Sequence, residues 1–308
     1  MKVAAFNAKK LGLRKVKNTK VCKYLIEVRN YSIVFILEVM DKTGKAQSCV
    51  SATHKNKMQK PKHVSCLHSA LGRNGYKEKF VCFYREDEVQ LRDQHQYEDN
   101  QPGDEDAFAR EPLILRFNCP TTVIKDLVLI PVHTQPNDAE KELDELHDVV
   151  KIMRNKWKTS NIMVLGDFNA AGSYLSKKKK KRIRISSPPF YWLIDDTVDT
   201  TTHSNEHAYD RIVVYTKKMQ KTIVPNSAKP FNFQTEFGLD TEEALSISDH
   251  YPVEVELKTD KSASLLHLFV KKKKKKLVLS ITISCGAAHS SSLIPHCSAA
   301  ASKDFSEC

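Results

Sequence analysis

Residues 164–170 read VLGDFNA. An apolar run enters this stretch, and an acid, Asp167, and an amide, Asn169, leave it together. A core strand that ends on two polar side chains delivers both to one edge of a sheet. Similar runs recur along the chain: KVAAFN, SIVFILEV, KFVCFYR, LILRFN, LVLIPVHT, IMVLGDFN, RIVVYT and YPVEVEL read as strands. Many are apolar on both faces, as expected of a sheet lying between a second sheet and covering helices. The clearest helix follows HTQPND, where Leu143, Leu146, Val149, Val150, Met153 and Trp157 recur at helical spacing and Asn137 or Asp138 can cap it. The expected fold is an α/β sandwich of two sheets with outer helices.

The polar punctuation has a direction. Asn7, Glu38, His133, Asp167 and Asn169 close apolar strands, whereas Asp210 and the pair Asp249-His250 open them, in AYDRIVV and ISDHYPV. If the strands after Asp210 and Asp249 run opposite to the first group, all these side chains meet along one edge of the sandwich. Taken singly, an Asp at a strand end satisfies a turn and a lone His is a core or surface residue. Taken together, eight strand-end polar groups rich in Asp, Asn, Glu and His are expected to form a site. Carboxylates and amides without cysteine suit a hard divalent cation such as Mg2+, Mn2+ or Ca2+. Two histidines beside acids suit proton transfer near neutral pH. The combination implies metal-assisted attack of water on a phosphate ester.

Composition bounds the rest. The 308 residues carry a formal net charge of +12, of which Lys177 to Arg182 supply six and residues 259–308 a net five, so the remaining body is close to neutral and any polyanion is gripped locally. Eight cysteines are scattered without a CxxC pair or metal-ligand spacing, and Cys82 in KFVCFY reads as a buried free thiol. No apolar span is long enough for a transmembrane helix, so no membrane partner is expected. MKVAAFNA is too short an apolar run for a signal peptide. As written, the chain is expected in the cytoplasm or nucleus, or to be secreted if its precursor carries a signal peptide missing here. The catalytic domain is expected over residues 1–258, followed by a disordered, lysine-containing tail over residues 259–308, with a membrane or nuclear-import element as the competing reading of its lysine run.

The succession FILEV, LGRNGYKE, FAREP, PVHTQP, LGDFNA, WLIDDTVDTT, AYDRIVV and ISDHYPVEV, in this order, resembles the deoxyribonuclease I family, in its deoxyribonuclease-1-like branch, within the endonuclease, exonuclease and phosphatase superfamily. The resemblance implies a four-layered α/β sandwich, two packed, mostly antiparallel sheets flanked by helices. It also implies a monomeric endonuclease that uses Mg2+ or Mn2+ to cut double-stranded DNA and leaves 5′-phosphates. By motif, Glu38 is implied as the principal metal ligand, with Asn7, Asp167 and Asp249 completing the metal and phosphate environment. Two acid/base pairs are implied, His133 oriented by Glu78 and His250 oriented by Asp210, with the roles of base and acid left open. Asn169 and Arg110 are implied phosphate contacts, and Tyr76 and Tyr174 are implied DNA contacts. Asp99, Asp106, Asp199 and Thr200 lie in stretches that resemble the family's structural calcium loops, against the competing reading of solvated acidic loops.

The chain also departs from the family pattern. Met40 stands where an arginine is common, and Gly172 and His207 stand where many members carry a disulfide. Residues 46–70 lack the leucine-periodic helix and the following strand expected before LGRN, and actin binding is not expected. The lysine stretch from 177 is expected to neutralise DNA phosphates, with a solvated loop or import signal as the alternative. A phosphodiesterase acting on other phosphate esters and a catalytically impaired DNA-binding relative remain the competing function classes.

Overall fold

Val164 and Leu165 lie wholly inside the molecule, and Gly166 follows with a φ of 137° that carries the chain against its neighbour. A computed structural model describes residues 1–27, 31–41, 44–46, 63–67, 71–73, 77–100 and 106–263. In chain order the strands are β1 (Lys2–Leu11), β2 (Ile33–Val39), β3 (His63–Leu67), β4 (Lys79–Arg85), β5 (Gln90–Gln96), β6 (Leu113–Asn118), β7 (Asp126–His133), β8 (Ile162–Asp167), β9 (Phe190–Trp192), β10 (Asp210–Tyr215), β11 (Lys229–Pro230) and β12 (Val253–Glu256). The helices are α1 (Leu13–Val16), α2 (Thr19–Glu27), α3 (Ala139–Trp157), α4 (Lys177–Lys180), α5 (Lys217–Gln220), α6 (Phe233–Phe237) and α7 (Thr241–Ile247).

The strands form two six-stranded sheets, ordered β11-β12-β1-β2-β4-β3 and β5-β6-β7-β8-β10-β9. Each has one parallel pair near its centre, β1 with β2 and β7 with β8, and is otherwise antiparallel. Alternation along the strands sorts side chains between layers. Ala5, Phe35, Cys82, Leu115, Leu129, Met163, Leu165 and Ile212 pack between the sheets. Val128, Ile130 and Val164 face outward onto Leu143, Leu146, Val150 and Met153 of α3. Phe6, Val34 and Phe83 face the other way onto Leu25 of α2, Phe233 of α6 and Ile247 of α7. The order is therefore helix, sheet, sheet, helix, which is the expected four-layered sandwich. Both sheets are covered on both sides, so their central strands read as continuous apolar runs; each buried Leu, Ile or Phe contributes about 1.5–3 kcal/mol.

Two local expectations need correction. Residues 46–70 were expected to lack the strand before LGRN, yet His63–Leu67 pairs antiparallel with β4 as β3; a short edge strand needs no apolar periodicity. Residues 47–62 lie outside the described residues. Asp138 does occupy the position that precedes α3, but its carboxylate makes no cap hydrogen bond and instead takes the Arg73 guanidinium at 3.1 Å.

One compact unit spans Met1–Ser264, and its last described strand, β12, ends at Glu256. No helix among the described residues is long and apolar enough to cross a membrane. Cys82 and Cys119 are buried and Cys22 is half-buried.

Candidate active site

Strand direction gathers the polar ends. β10 runs antiparallel to β8 and β12 antiparallel to β1, so the starts of β10 and β12 lie beside the ends of β8 and β1. Across the second sheet, His133, Asp167 and Asp210 are register partners in one row. Asn7 closes the regular part of β1 opposite Leu37, one residue before Glu38. All eight strand-end groups are thereby brought to one edge.

Each imidazole is held by an acid from the opposite sheet. His133, on β7, donates from Nδ1 to Oε1 of Glu78, which precedes β4, at 2.7 Å. His250, which precedes β12, donates from Nδ1 to Oδ2 of Asp210, on β10, at 2.7 Å. The two Nε2 atoms then face a common point: they lie 3.6 Å and 3.7 Å from Asp167 Oδ2. His133 Nε2 is also 3.7 Å from Glu38 Oε1. Asn7 Nδ2 donates to both carboxylates, at 3.1 Å to Glu38 and 3.0 Å to Asp167.

This buried crowd of acids sets the protonation balance. Burial opposes charge on both imidazoles, but Glu78 for His133 and Asp210 with Asp167 for His250 outweigh it, and both pKa values rise above the ordinary histidine value. Burial pushes Asp210 up, helped by Asp167. Burial also opposes the Asp167 charge, yet the two imidazoles, the Asn169 N–H and the Asn7 amide hold its pKa below the usual carboxylate range. The site thus gathers the carboxylates of Glu38, Asp167 and Asp210 beside two imidazoles, and Asp167, Asp210 and His250 offer ligand atoms within 4.8 Å of one another. Such a set fits a hard divalent cation.

The other expected residues fall as follows. Arg110 is buried beneath His133, donating from Nη1 to the His133 carbonyl oxygen at 3.1 Å, with Nε 3.0 Å from Glu78 Oε1. Its side chain also lines a 460 Å³ cleft with Glu38, Arg73, His133, Gln135 and Asp138. Asn169 turns with a φ of 47°, its N–H on Asp167 Oδ1 and its amide donating to the Thr134 carbonyl oxygen. Tyr174 rings with Tyr209 at 5.8 Å, and Tyr209 in turn lies 6.2 Å from His250. Tyr76 lies outside the described residues. A Cβ on Gly172 would lie 3.6 Å from the His207 ring, so these two positions are neighbours.

The remaining expected residues have these partners in the structure. Asn7 presents its amide nitrogen to Glu38 and Asp167, and its Oδ1 accepts the Lys9 N–H at 2.9 Å. Thr200 gives its hydroxyl to Asp210 Oδ2 at 3.0 Å, which places it behind the His250 pair. Asp106 pairs with Arg73 at 3.1 Å and Asp99 accepts the Phe108 N–H at 2.6 Å. Asp199 Oδ1 accepts from Thr201 and from the His207 N–H. Asp249 Oδ1 lies 3.9 Å from His250 Nε2, and Lys9 Nζ is 2.8 Å from its Oδ2. Sequence reading missed Lys9 and its neighbours; the polar sequence AKKLGLRK after Asn7 was the available signal.

The chain matches the Endonuclease/Exonuclease/phosphatase family over residues 6–250. It is similar to Deoxyribonuclease-1 of Sus scrofa, 42% identical over 265 residues that cover 84% of this chain and 92% of that protein. It is 36% identical to Deoxyribonuclease gamma of Mus musculus over 280 residues, 90% of each. Two solved structures share the fold at low identity. One is humanized D. rerio TDP2, with a TM-score of 0.55, 14% identity and coverage of 83% of this chain and 97% of that one. The other is the human Nocturnin catalytic domain, with a TM-score of 0.54, 13% identity and coverage of 84% and 94%. With its two His–acid pairs closing on one carboxylate and this similarity running through nearly the whole described body, the chain belongs to the deoxyribonuclease I family.

Proposed function

We propose that this protein is a divalent-cation-dependent endonuclease that hydrolyses phosphodiester bonds of double-stranded DNA and leaves 5′-phosphates. The observation that carries the reading is the pair of Nε2 atoms, each fixed by an acid at Nδ1 and each within 3.7 Å of the same Asp167 oxygen. The names of its relatives supply DNA as the substrate. Glu38 and Asp167 would hold the cation, with Asp249 at the rim; Mg2+ or Mn2+ bound there would supply Lewis-acid polarisation of the phosphate and ease deprotonation of water.

The chain's own groups handle the protons. One imidazole, neutral at Nε2, takes a proton from the attacking water. The other, protonated at Nε2, gives its proton to the 3′ oxygen as the P–O3′ bond breaks. The water oxygen ends on phosphorus as the 5′-phosphate, and the other fragment leaves with a 3′-hydroxyl. Glu78 and Asp210 fix the tautomers by taking the Nδ1 protons in hydrogen bonds. Arg110 and Asn169 border the phosphate position.

Plasmid nicking by the purified protein tests this. Chelator is expected to abolish nicking. His133→Ala and His250→Ala are each expected to lower kcat by about a hundred- to ten-thousand-fold with a much smaller change in KM. Nicking that survives chelator, or near-wild-type turnover in either variant, overturns the reading.

A further inference from the structure

The end of β1 is strained beside the site. Lys9 and Lys10 adopt φ values of 40° and 53°, in the left-handed region, and Glu38 on the neighbouring strand adopts 54°. The pairing of β1 with β2 shifts register between Asn7 and Leu11, so the chain bulges there. A non-glycine residue in this region is disfavoured, and two in succession persist only when their surroundings hold them.

The bulge serves three contacts. The Lys9 N–H takes the Asn7 Oδ1 at 2.9 Å, which turns the Asn7 amide nitrogen toward Glu38 and Asp167. The Lys10 N–H donates to Glu38 Oε2 at 2.9 Å. The Lys9 side chain meets Asp249. One short turn therefore orients two carboxylates and the amide between them.

What holds the turn is a side chain from α1. Lys15 Nζ donates to the carbonyl oxygens of Ala8 and Lys9, both at 2.8 Å. An ammonium bridging two successive carbonyls fixes the peptide planes on either side of the left-handed residues. We infer that Lys15 is a positioning residue for the cation site: its ammonium clamps the Ala8–Lys10 bulge, and the bulge presents the Lys9 and Lys10 N–H groups that aim Asn7 and Glu38. The Lys15 ammonium hydrogen-bonds backbone carbonyls, and Asp249 and Glu38 lie near enough to act on its charge. Its placement carries a cost, because burial pushes its pKa down to about 8 despite the nearby Asp249.

The inference rests on the proposed function, and a binding measurement separates the two. Mn2+ binding is measured calorimetrically on the full chain for wild type, Lys15→Met, Lys15→Gln and Lys15→Arg, with thermal unfolding recorded in chelator. Lys15→Met is expected to weaken Mn2+ binding by about ten- to a hundredfold, as loss of groups that orient metal ligands does. It is expected to lower kcat for nicking with little change in KM and without lowering the unfolding temperature in chelator. Lys15→Arg, which retains two donors and the charge, is expected to restore binding to near the wild-type value. Lys15→Gln, neutral but still an N–H donor, is expected to fall between them and serves if the Met variant does not fold. Wild-type Mn2+ affinity in both the Met and Gln variants overturns the clamp. So does loss of affinity in the Arg variant that only tracks loss of thermal stability. If wild type itself binds no Mn2+, the cation-dependent reading fails instead.

Discussion

Glu142, on the buried face of α3, has 1% exposure, and its Oε1 accepts the Gln135 N–H at 2.9 Å. It ties the loop after His133 to the helix while taking no part in proton transfer. Burial pushes its pKa up to about 7, against its backbone hydrogen bonds and the nearby Arg110. A carboxyl with a raised folded-state pKa favours the native state fully below its unfolded value, near 4.5, and that contribution is lost as pH rises through about 7. Glu142→Gln keeps an acceptor and removes the charge. It is expected to unfold like wild type near pH 4.5 and to be more stable at pH 8, by up to about 3 kcal/mol at 1.36 kcal/mol per pKa unit. Urea unfolding at the two pH values checks this; equal stabilities at pH 8 would mean that Glu142 remains comfortably charged. Single residues were legible in the sequence when a strand end fixed their place, as for His133, His250 and Asp167, which the structure brings together. They were not when orientation decided it: no spacing shows that the Asn7 amide turns its nitrogen inward, or that Thr200 backs Asp210.

At the level of elements, the eight strands legible in the sequence are the interior ones. The four that escaped, β3, β5, β9 and β11, are the four edges of the two sheets. β5, QLRDQHQ, is largely exposed, β9 has three residues and β11 two. An edge strand pairs on one side only, so neither length nor an apolar run is required of it. The converse holds at β8, where the interior imposes a demand visible only in three dimensions. A Cβ on Gly166 would lie 2.1 Å from the Val132 carbonyl oxygen, and its φ of 137° is itself closed to other residues. The obstacle is backbone of the parallel partner strand, so no side-chain rotation relieves it. Gly166→Ala is expected to cost more than about 3 kcal/mol and to separate His133 from Asp167, which sit at the ends of these two strands. Thermal unfolding and nicking measured together test this, and a variant with the wild-type midpoint would show that β7 and β8 do not approach so closely.

For the whole molecule, each His–acid pair joins one sheet to the other, so the reacting edge exists only when the sandwich is closed, and charge elsewhere can act only on encounter and grip. The lysine stretch beginning at 177 is the largest such charge within the described residues, and the structure divides it. Lys180 pairs with Asp196 at 2.5 Å and lies 4.0 Å over the Trp192 ring, Lys179 is 3.8 Å from Glu140, and Arg182 meets Glu140 at 2.6 Å. These three brace α4 against the body. Lys177, Lys178 and Lys181 are exposed. Each phosphate that a lysine neutralises adds about 0.9 to the log–log salt slope of DNA binding. Replacing Lys177, Lys178 and Lys181 with Ser is expected to flatten that slope by up to about 3 and to raise KM at moderate salt, with kcat at saturating DNA unchanged. Lys180→Ser is expected to lower thermal stability instead, since it leaves the Asp196 carboxylate with one cation fewer. Diffuse positive charge could mimic the first effect, so three Ser replacements within the lysine run at 271–276 provide the control. A slope that falls equally in both sets would place the 177–181 lysines away from the DNA path. A fall confined to the first set would put α4 along the backbone that leads into the cluster around Asp167.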